Sequence, residues 1–556
     1  MKRLRAIEAG WKLFWVFAIL YWAFPSARYY WDGVEYAQLA ERAVDWRETL
    51  HPHHVFYNLL VLWITRFFVE PLGYPHPGLV AQQWFNGLLG AFTVMFSYRT
   101  LRYFFTDPLA WQVAAIGGSA FTFWQYAAGH APYIPAGFRL VIAFQVMAMS
   151  YKDPHFKPSK LFMLAIHFFL ATMLHQASAL LLIPWVYFLF RRTEGMEDAI
   201  TYRVAGLLFS VGLIAFHYIL FGFASLRIPD LPTFLHWALG YGEDRRWWYL
   251  ANHPWWTLPW AIVKSHVITF LYPDYTFAGF LRWPEGNLAL DLIKKVLVLL
   301  VLRHLIPGFI GGLQHLGLFF RLQPRVLAVY WWWWVGLLSV FFAVFQPQQP
   351  FYRLFYLLPL LMVLAVGFDR GWRIAGRTIG SSAWGLLAPL FLFNFFAGIL
   401  PQANPAKNPW LVEATALVHA LDPGTVVVLP GDPGFSIDES VHGTRTWELV
   451  EYLGGELPGV RGANAIEVLY LDPWAASPEP IDLFPYLVGE AGEGTYTRLL
   501  VWPPDEGSLS GATLSFADRT FAWKGLRPEL QRWDHTVTLP RGQMTELRGQ
   551  RFVAFP

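Results

Sequence analysis

"HVFYNLLVLWITRFFV" (54–69) is apolar enough to enter a bilayer, and whether it spans decides how the rest of the chain is threaded. If it spans, the basic segments "SYRTLRYFF" (97–105), "YKDPHFKPSK" (151–160) and "RRTEGMEDAITYR" (191–203) all fall on the outer side. If it lies along the outer surface or re-enters, the parity reverses. All three then become cytoplasmic, together with "RLQPR" (321–325) and "DRGWRIAGR" (369–377). Lys and Arg gather in cytoplasmic loops, so the surface-lying reading is preferred. Arg66 interrupts the run, and "VEPLGYPHPG" (69–78) is Pro-rich without Lys or Arg, which favours the same reading.

The composition around this run is that of a membrane protein. Of 556 residues, 55% are hydrophobic, 18% aromatic and only 15% charged, where an ordinary soluble domain is about 25% charged. "VLAVYWWWWVGLLSVFFAVF" (326–345) and "SSAWGLLAPLFLFNFFAGIL" (381–400) approach the roughly 20 residues a spanning helix needs. The basic start "MKRLRAIEAG" is expected in the cytoplasm, ahead of an uncleaved first helix. Spans are expected near 11–26, 79–98, 108–127, 132–150, 161–173, 176–190, 204–222, 288–306, 326–345, 352–368 and 381–400, about eleven in all. The many tryptophans and tyrosines suit a large surface at the membrane–water boundary. Net charge is only +3, which gives no reason to expect a nucleic-acid partner, and the absence of cysteine excludes disulfides, zinc–thiolate sites and thiol nucleophiles.

The expected fold is therefore a polytopic α-helical membrane domain over 1–404, with a first outer loop at 27–78 and a large one at 223–287, followed by a soluble α/β domain over 405–556. The second domain has charges, Gly/Pro turns and no spanning run. "PWLVEATALVHAL" reads as a helix, and "GTVVVLPG", "AIEVLYLD" and "YTRLLVWP" read as strands. Its place is the outer side of a cell membrane, inner or plasma.

Ionisable groups beside lipid mark functional sites by default, and here they gather on the outer face. In "WDGVEYAQLAERAVDW" (31–46), Asp32 and Glu35 are three apart and share one face of an amphipathic helix. A carboxylate at a partly dry boundary can serve as a base; the bland alternative is a solvated polar face. "HPHH" opens the next helix, and His51, His53 and His54 suit phosphate binding, proton transfer, metal ligation or plain interfacial packing. Arg353 stands at the outer end of a late span, where a guanidinium either grips phosphate or snorkels to headgroups. Arg245 and Arg246 beside "WWYLANHPWW", and Lys264 inside an apolar stretch, carry the same two readings. His130 and Tyr133 in "GHAPYIP", and His175 at the tip of a short hairpin, complete the set.

In order and content these pieces resemble the GT-C superfamily of integral-membrane glycosyltransferases, nearest to the bacterial protein-mannosyltransferase-like group. The resemblance rests on a first outer loop with Asp and Glu ("WDGVEYAQLAE"), a His-Pro element ("HPHHVFYNLL"), an Asn-containing helix with a basic end ("QQWFNGLLGAFTVMFSYRTLRYFF"), a Trp helix ("SAFTFWQYAAGHAPYIP") and "QPQQPFYRLFYLLPLL". It covers roughly residues 10–400. His53 replaces the usual Pro or Gly after His-Pro, and no Trp-Trp-Asp signature is present.

The resemblance implies an inverting hexosyl- or pentosyltransferase that displaces polyprenyl phosphate and hands the sugar to a hydroxyl or amine of a lipid, glycan or protein. Asp32 would be the acceptor-side base or, in some branches, a metal ligand; a divalent metal would then take Asp32 and His54. Cations would hold the leaving phosphate. The alternatives are a ligase acting on a finished lipid-linked glycan, or a transporter or flippase. A transporter places polar groups at the bilayer midplane, often between repeated halves; here they gather at one face and no repeat appears.

Overall fold

The computed structural model describes residues 2–29, 31–153, 157, 159–239, 248–273, 287–374, 377–379 and 382–408, and, beyond 408, the helical residues 411–412, 414–415, 418 and 452–453 and eight strands. The chain divides into two compact units, Met1–Ala403 and Asn404–Pro556.

The first unit is a polytopic helical bundle. Its helices are α1 Lys2–Ala23, α2 Trp31–Arg42, α3 Val55–Leu72, α4 Pro77–Leu101, α5 Asp107–Ser119, α6 Phe121–Ala127, α7 Tyr133–Lys152, α8 Lys160–Leu174 and α9 Leu182–Arg192. They continue as α10 Ala199–Ser225, α11 Leu231–Leu239, α12 Leu258–Phe270, α13 Leu288–Arg321, α14 Arg325–Val344, α15 Leu357–Arg370 and α16 Ala383–Gln402. Seven stretches among the described residues are long and apolar enough to cross a membrane: α3, α7, α10, α13, α14, Pro350–Arg370 and α16. The core runs between α1, α4, α5, α6, α7 and α15, where Phe17, Tyr21, Val94, Ile116, Trp124, Phe144 and Met362 are buried.

Two of the expected spans differ from what forms. The run 108–127 is broken at Ala120, whose extended backbone separates α5 from α6. The carbonyl freed on Ser119 accepts from Asn394 Nδ2 at 2.9 Å, and the same amide donates to Phe270 O at 2.7 Å. A broken helix persists inside a bundle only where such side chains satisfy the freed groups. The run expected to end at 306 instead continues to Arg321, through Pro307. Beyond the proline, Gly308 and Gly312 let α13 press against α15, and a Cβ on Gly367 would overlap the carbonyl of Gly308. This small-residue contact holds the helix together past its breaker.

The amphipathic face expected for α2 forms. Val34, Ala37 and Ala40 are buried, against the first turns of α4, where a Cβ on Gly78 would meet Ala37 backbone at 2.8 Å. The Glu41 carboxylate accepts the Gly78 N–H at 2.6 Å, an acid placed at a helix N-terminus. Arg66 lies where α3 passes from regular α-helix into the π turn Thr65–Val69. Its guanidinium donates to Glu41 O and Ala43 O at 2.8 and 2.9 Å, closing the carbonyl end of α2, and pairs with Glu70 at 3.5 Å. One side of α3 is buried (Tyr57, Asn58, Val61, Thr65, Val69), and the other shows Trp63, Phe67, Phe68 and Leu72.

Among the described residues the second unit holds a five-stranded sheet and a three-stranded one. After the small hairpin β1 Trp372–Ile374 and β2 Arg377–Ile379 of the first unit, its strands are β3 Thr425–Pro430, β4 Glu467–Leu471, β5 Ile481–Asp482, β6 Arg498–Val501, β7 Thr513–Phe516, β8 Arg519–Ala522, β9 Gln543–Leu547 and β10 Gln550–Phe555. The three strands expected from their apolar runs are β3, β4 and β6, which pair in parallel. The others escaped notice because they are short or mixed with polar residues; β9 and β10 pair as an antiparallel hairpin with Leu547 opposite Gln550. The helix expected near 409–421 lies largely outside the described residues.

Candidate active site

The site forms where α2 begins. Its first turn is pressed onto the turn before α7, so closely that a Cβ on Gly33 would overlap the ring and carbonyl of His130. Glycine is required here for close approach, as it is at Gly78. Asp32 and Glu35 are half-buried, one helical turn apart. Tyr133, the first residue of α7, donates its hydroxyl to Asp32 Oδ2 at 2.9 Å.

Burial raises the pKa of both carboxyls. The Tyr133 hydroxyl opposes that rise at Asp32. Glu35 is pushed up to about 8 by burial and then by the charge of Asp32. Two carboxylates this close do not ionise together easily. The Tyr133 hydroxyl favours the charge on Asp32, whereas burial and the neighbouring Asp32 favour the proton on Glu35. The pair therefore offers one base and one acid.

The expected pH dependence follows. Below pH about 8 Glu35 is neutral; above it a second negative charge appears beside Asp32. Activity is expected to fall on an alkaline limb near that value, and Glu35→Gln should remove the limb while the acid limb, set by Asp32, stays. A kcat/KM profile over pH 5–10 measures both, and an alkaline limb unchanged in the variant would disprove the assignment.

The histidines of 51–54 form one cluster with His175. His54 packs edge to face on His175 with centroids 4.6 Å apart, and His51 stacks on His54 at 5.7 Å. Tyr36 of α2 packs on both His51 and His54. The loops are tied by Gln176 N–H donating to His53 O at 3.0 Å and by Tyr218 O–H donating to Pro52 O at 2.6 Å. Burial lowers His51 to about 4 and, with the charge of His51, lowers His53 to about 3. All are neutral imidazoles at pH 7, so they bring no positive charge to a phosphate. His130 is fully buried, its ring against Tyr29, and burial lowers it to about 3.

Beneath this layer lies a buried polar chain that sequence reasoning missed. Tyr57 O–H donates to Gln82 Oε1 at 3.0 Å, and Gln82 Nε2 donates to Gly33 O at 2.7 Å. Asn86 Nδ2 donates to Gly129 O at 3.2 Å and Ala131 O at 2.9 Å. The amides thus hold both the α2 start and the His130 turn. Gln82 and Asn86, four apart and so on one face of the apolar first half of α4, were the available signal.

Arg353 is 1% exposed. It lies in the 3₁₀ turn Pro350–Tyr356, donating to Ser265 Oγ at 2.9 and 3.1 Å and to Pro347 O at 2.6 Å. Gln346, just before Pro347, has φ +53°, the left-handed region that strains a side-chain-bearing residue. The turn reaches the site through Phe351, stacked on Tyr133 at 4.3 Å, and Phe355, 4.6 Å from His175. Lys264, next to Ser265 on α12, is exposed. Its position is not brought onto Asp32 or the histidines by any contact among the described residues. Arg245 and Arg246 lie outside the described residues. No group of three or more His, Asp or Glu among the described residues is arranged to hold a metal ion. Of the two expected ligands, Asp32 is engaged by Tyr133, and His54 Nδ1 by Leu174 O at 3.3 Å.

No protein-family model and no curated protein sequence matches the chain. Solved structures similar to it include ArnT from Cupriavidus metallidurans bound to undecaprenyl phosphate, at 14% identity and TM-score 0.48, covering 98% of each chain. They also include the Archaeoglobus fulgidus oligosaccharyltransferase in complex with Zn and sulfate, at 14% identity and TM-score 0.46, covering 89% of this chain and 67% of that one. The archaeal enzyme in complex with an inhibitory peptide and a dolichol-phosphate matches at 10% identity and TM-score 0.44, covering 90% and 69%. At these identities and scores no residue role transfers from them.

Proposed function

We propose that the chain is an inverting glycosyltransferase that moves a sugar from a polyprenyl-phosphate donor to an acceptor hydroxyl or amine at the outer membrane face. The observation that carries this reading is the Asp32–Tyr133 contact at the start of α2, with a protonated Glu35 one turn away. A carboxylate oriented by a hydroxyl is placed to take the proton of an incoming nucleophile. The acceptor oxygen then bonds to the anomeric carbon, the bond from that carbon to the phosphate oxygen breaks, and polyprenyl phosphate leaves with the electron pair. Arg353, held by Ser265 and Pro347, acts as a positioning residue that fixes the aromatic turn behind Tyr133. Purified protein given a labelled undecaprenyl-phosphate sugar should bind and consume it in the presence of a membrane extract. A protein that neither binds nor consumes any such donor would sink the reading.

The start of α2 and the turn that carries His130 and Tyr133 share one side of the membrane, as the Tyr133–Asp32 hydrogen bond requires, only if α3 does not cross it. We read α3 as lying at the outer surface with Trp63, Phe67, Phe68 and Leu72 toward lipid, since this parity leaves the basic loops inside. An accessibility tag inserted at 72–76 is expected to react with a membrane-impermeant reagent from outside; a cytoplasmic signal would overturn that placement.

A further inference from the structure

We propose that His54 and His175 form a donor–acceptor pair that recognises an un-ionised hydroxyl group, belonging to the donor sugar or to the acceptor, and not the donor's phosphate. The proposal rests on the transferase reading above.

The backbone sets the tautomers. His54 Nδ1 faces Leu174 O at 3.3 Å. A carbonyl only accepts, so this nitrogen carries the proton and Nε2 keeps a lone pair. His175 Nδ1 accepts the Ala177 N–H at 3.2 Å, so the proton sits on Nε2. One ring thus ends in an acceptor and its neighbour in a donor. Both rings are more than nine-tenths buried, at 6% and 7% exposure. Each ring spends its Nδ1 on the backbone, and among the described residues no hydrogen bond joins either Nε2 to protein. Burial and the neighbouring imidazoles push both rings well below the usual histidine range, so they stay neutral.

A phosphate oxygen is an acceptor and does not match the lone pair of His54. A hydroxyl both accepts and donates, and it matches the two nitrogens together. The location agrees. The rings meet edge to face at 4.6 Å, and His175 packs at 5.5 Å on Tyr133, the residue that bonds Asp32. A site built to hydrogen-bond a hydroxyl rejects a ligand lacking it, because its buried groups are left unpaired.

The test compares purified full-length protein binding undecaprenyl phosphate with undecaprenyl-phosphate-linked glucose and mannose. His54→Ala and His175→Ala are each expected to weaken the sugar-linked lipid by about tenfold while the bare lipid phosphate stays within about twofold; this outcome assigns the hydroxyl to the donor. If both lipid affinities hold but the half-saturating amount of acceptor-containing membrane extract in the transfer reaction rises about tenfold, the hydroxyl is the acceptor's. Equal weakening of both lipids would overturn the proposal in favour of phosphate binding, and so would no change in any of these quantities. His54→Gln and His175→Gln keep an amide oxygen or N–H near the position of Nε2 and are expected to recover most of the lost affinity, which a purely packing role would not explain. A wild-type protein that binds neither lipid is a separate outcome, and it removes the transferase reading itself.

Discussion

Asp32→Asn is expected to lower sugar transfer by about 10²–10⁴-fold, the usual contribution of a positioned general base, with donor affinity little changed. The amide is isosteric and still accepts the Tyr133 hydroxyl through its oxygen, so the contact at the start of α2 survives. What disappears is the group that takes the proton. Burial already raises the pKa of Asp32 from the ordinary carboxylate range, which makes it a stronger base than an exposed aspartate. Tyr133→Phe is the informative companion. It removes the hydroxyl that opposes this rise, so the acid limb of the kcat/KM profile should move to higher pH while the maximum falls less than for Asp32→Asn. Single-turnover consumption of labelled donor measures both. Transfer at the wild-type rate in Asp32→Asn would show that another group is the base.

Arg353→Ala is expected to destabilise the first unit by on the order of 3–6 kcal/mol, from two hydrogen-bonded partners of a charged group at about 1.5–3 kcal/mol each. Ser265 and the Pro347 carbonyl lose their shared partner in a buried setting. The turn that carries Phe351 and Phe355 then loosens behind Tyr133 and His175. Thermal unfolding in detergent should therefore fall together with transfer. Arg353→Lys keeps the charge without the planar fork and should recover only part of either. If Arg353→Ala unfolds at the wild-type temperature but loses affinity for undecaprenyl phosphate, the side chain grips phosphate directly and the positioning role is wrong.

Much of this was legible in the residue pattern, and the reasons differ by element. Apolar runs of bilayer length set most of the helices, because hydrocarbon admits backbone only when its hydrogen bonds are satisfied within the segment. The alternation of Val34, Ala37 and Ala40 with Asp32 and Glu35 set the buried and open faces of α2, since a helix repeats every 3.6 residues. The β3, β4 and β6 runs were equally plain. Breaks and extensions were not. Ala120 and Pro307 depend on partners far along the chain, Asn394 for the first and Gly367 for the second.

The candidate site divides in the same way. The spacing of two carboxylates and three histidines follows from the sequence, because it is local to one loop. That Tyr133 selects Asp32 over Glu35 does not, nor that His175 joins the cluster or that Arg353 turns inward to Ser265. Each of these pairings joins residues roughly 90 to 120 positions apart or lies across separate helices. Burial and partner then decide which carboxyl is charged and which imidazole nitrogen holds the proton, and only packing supplies both.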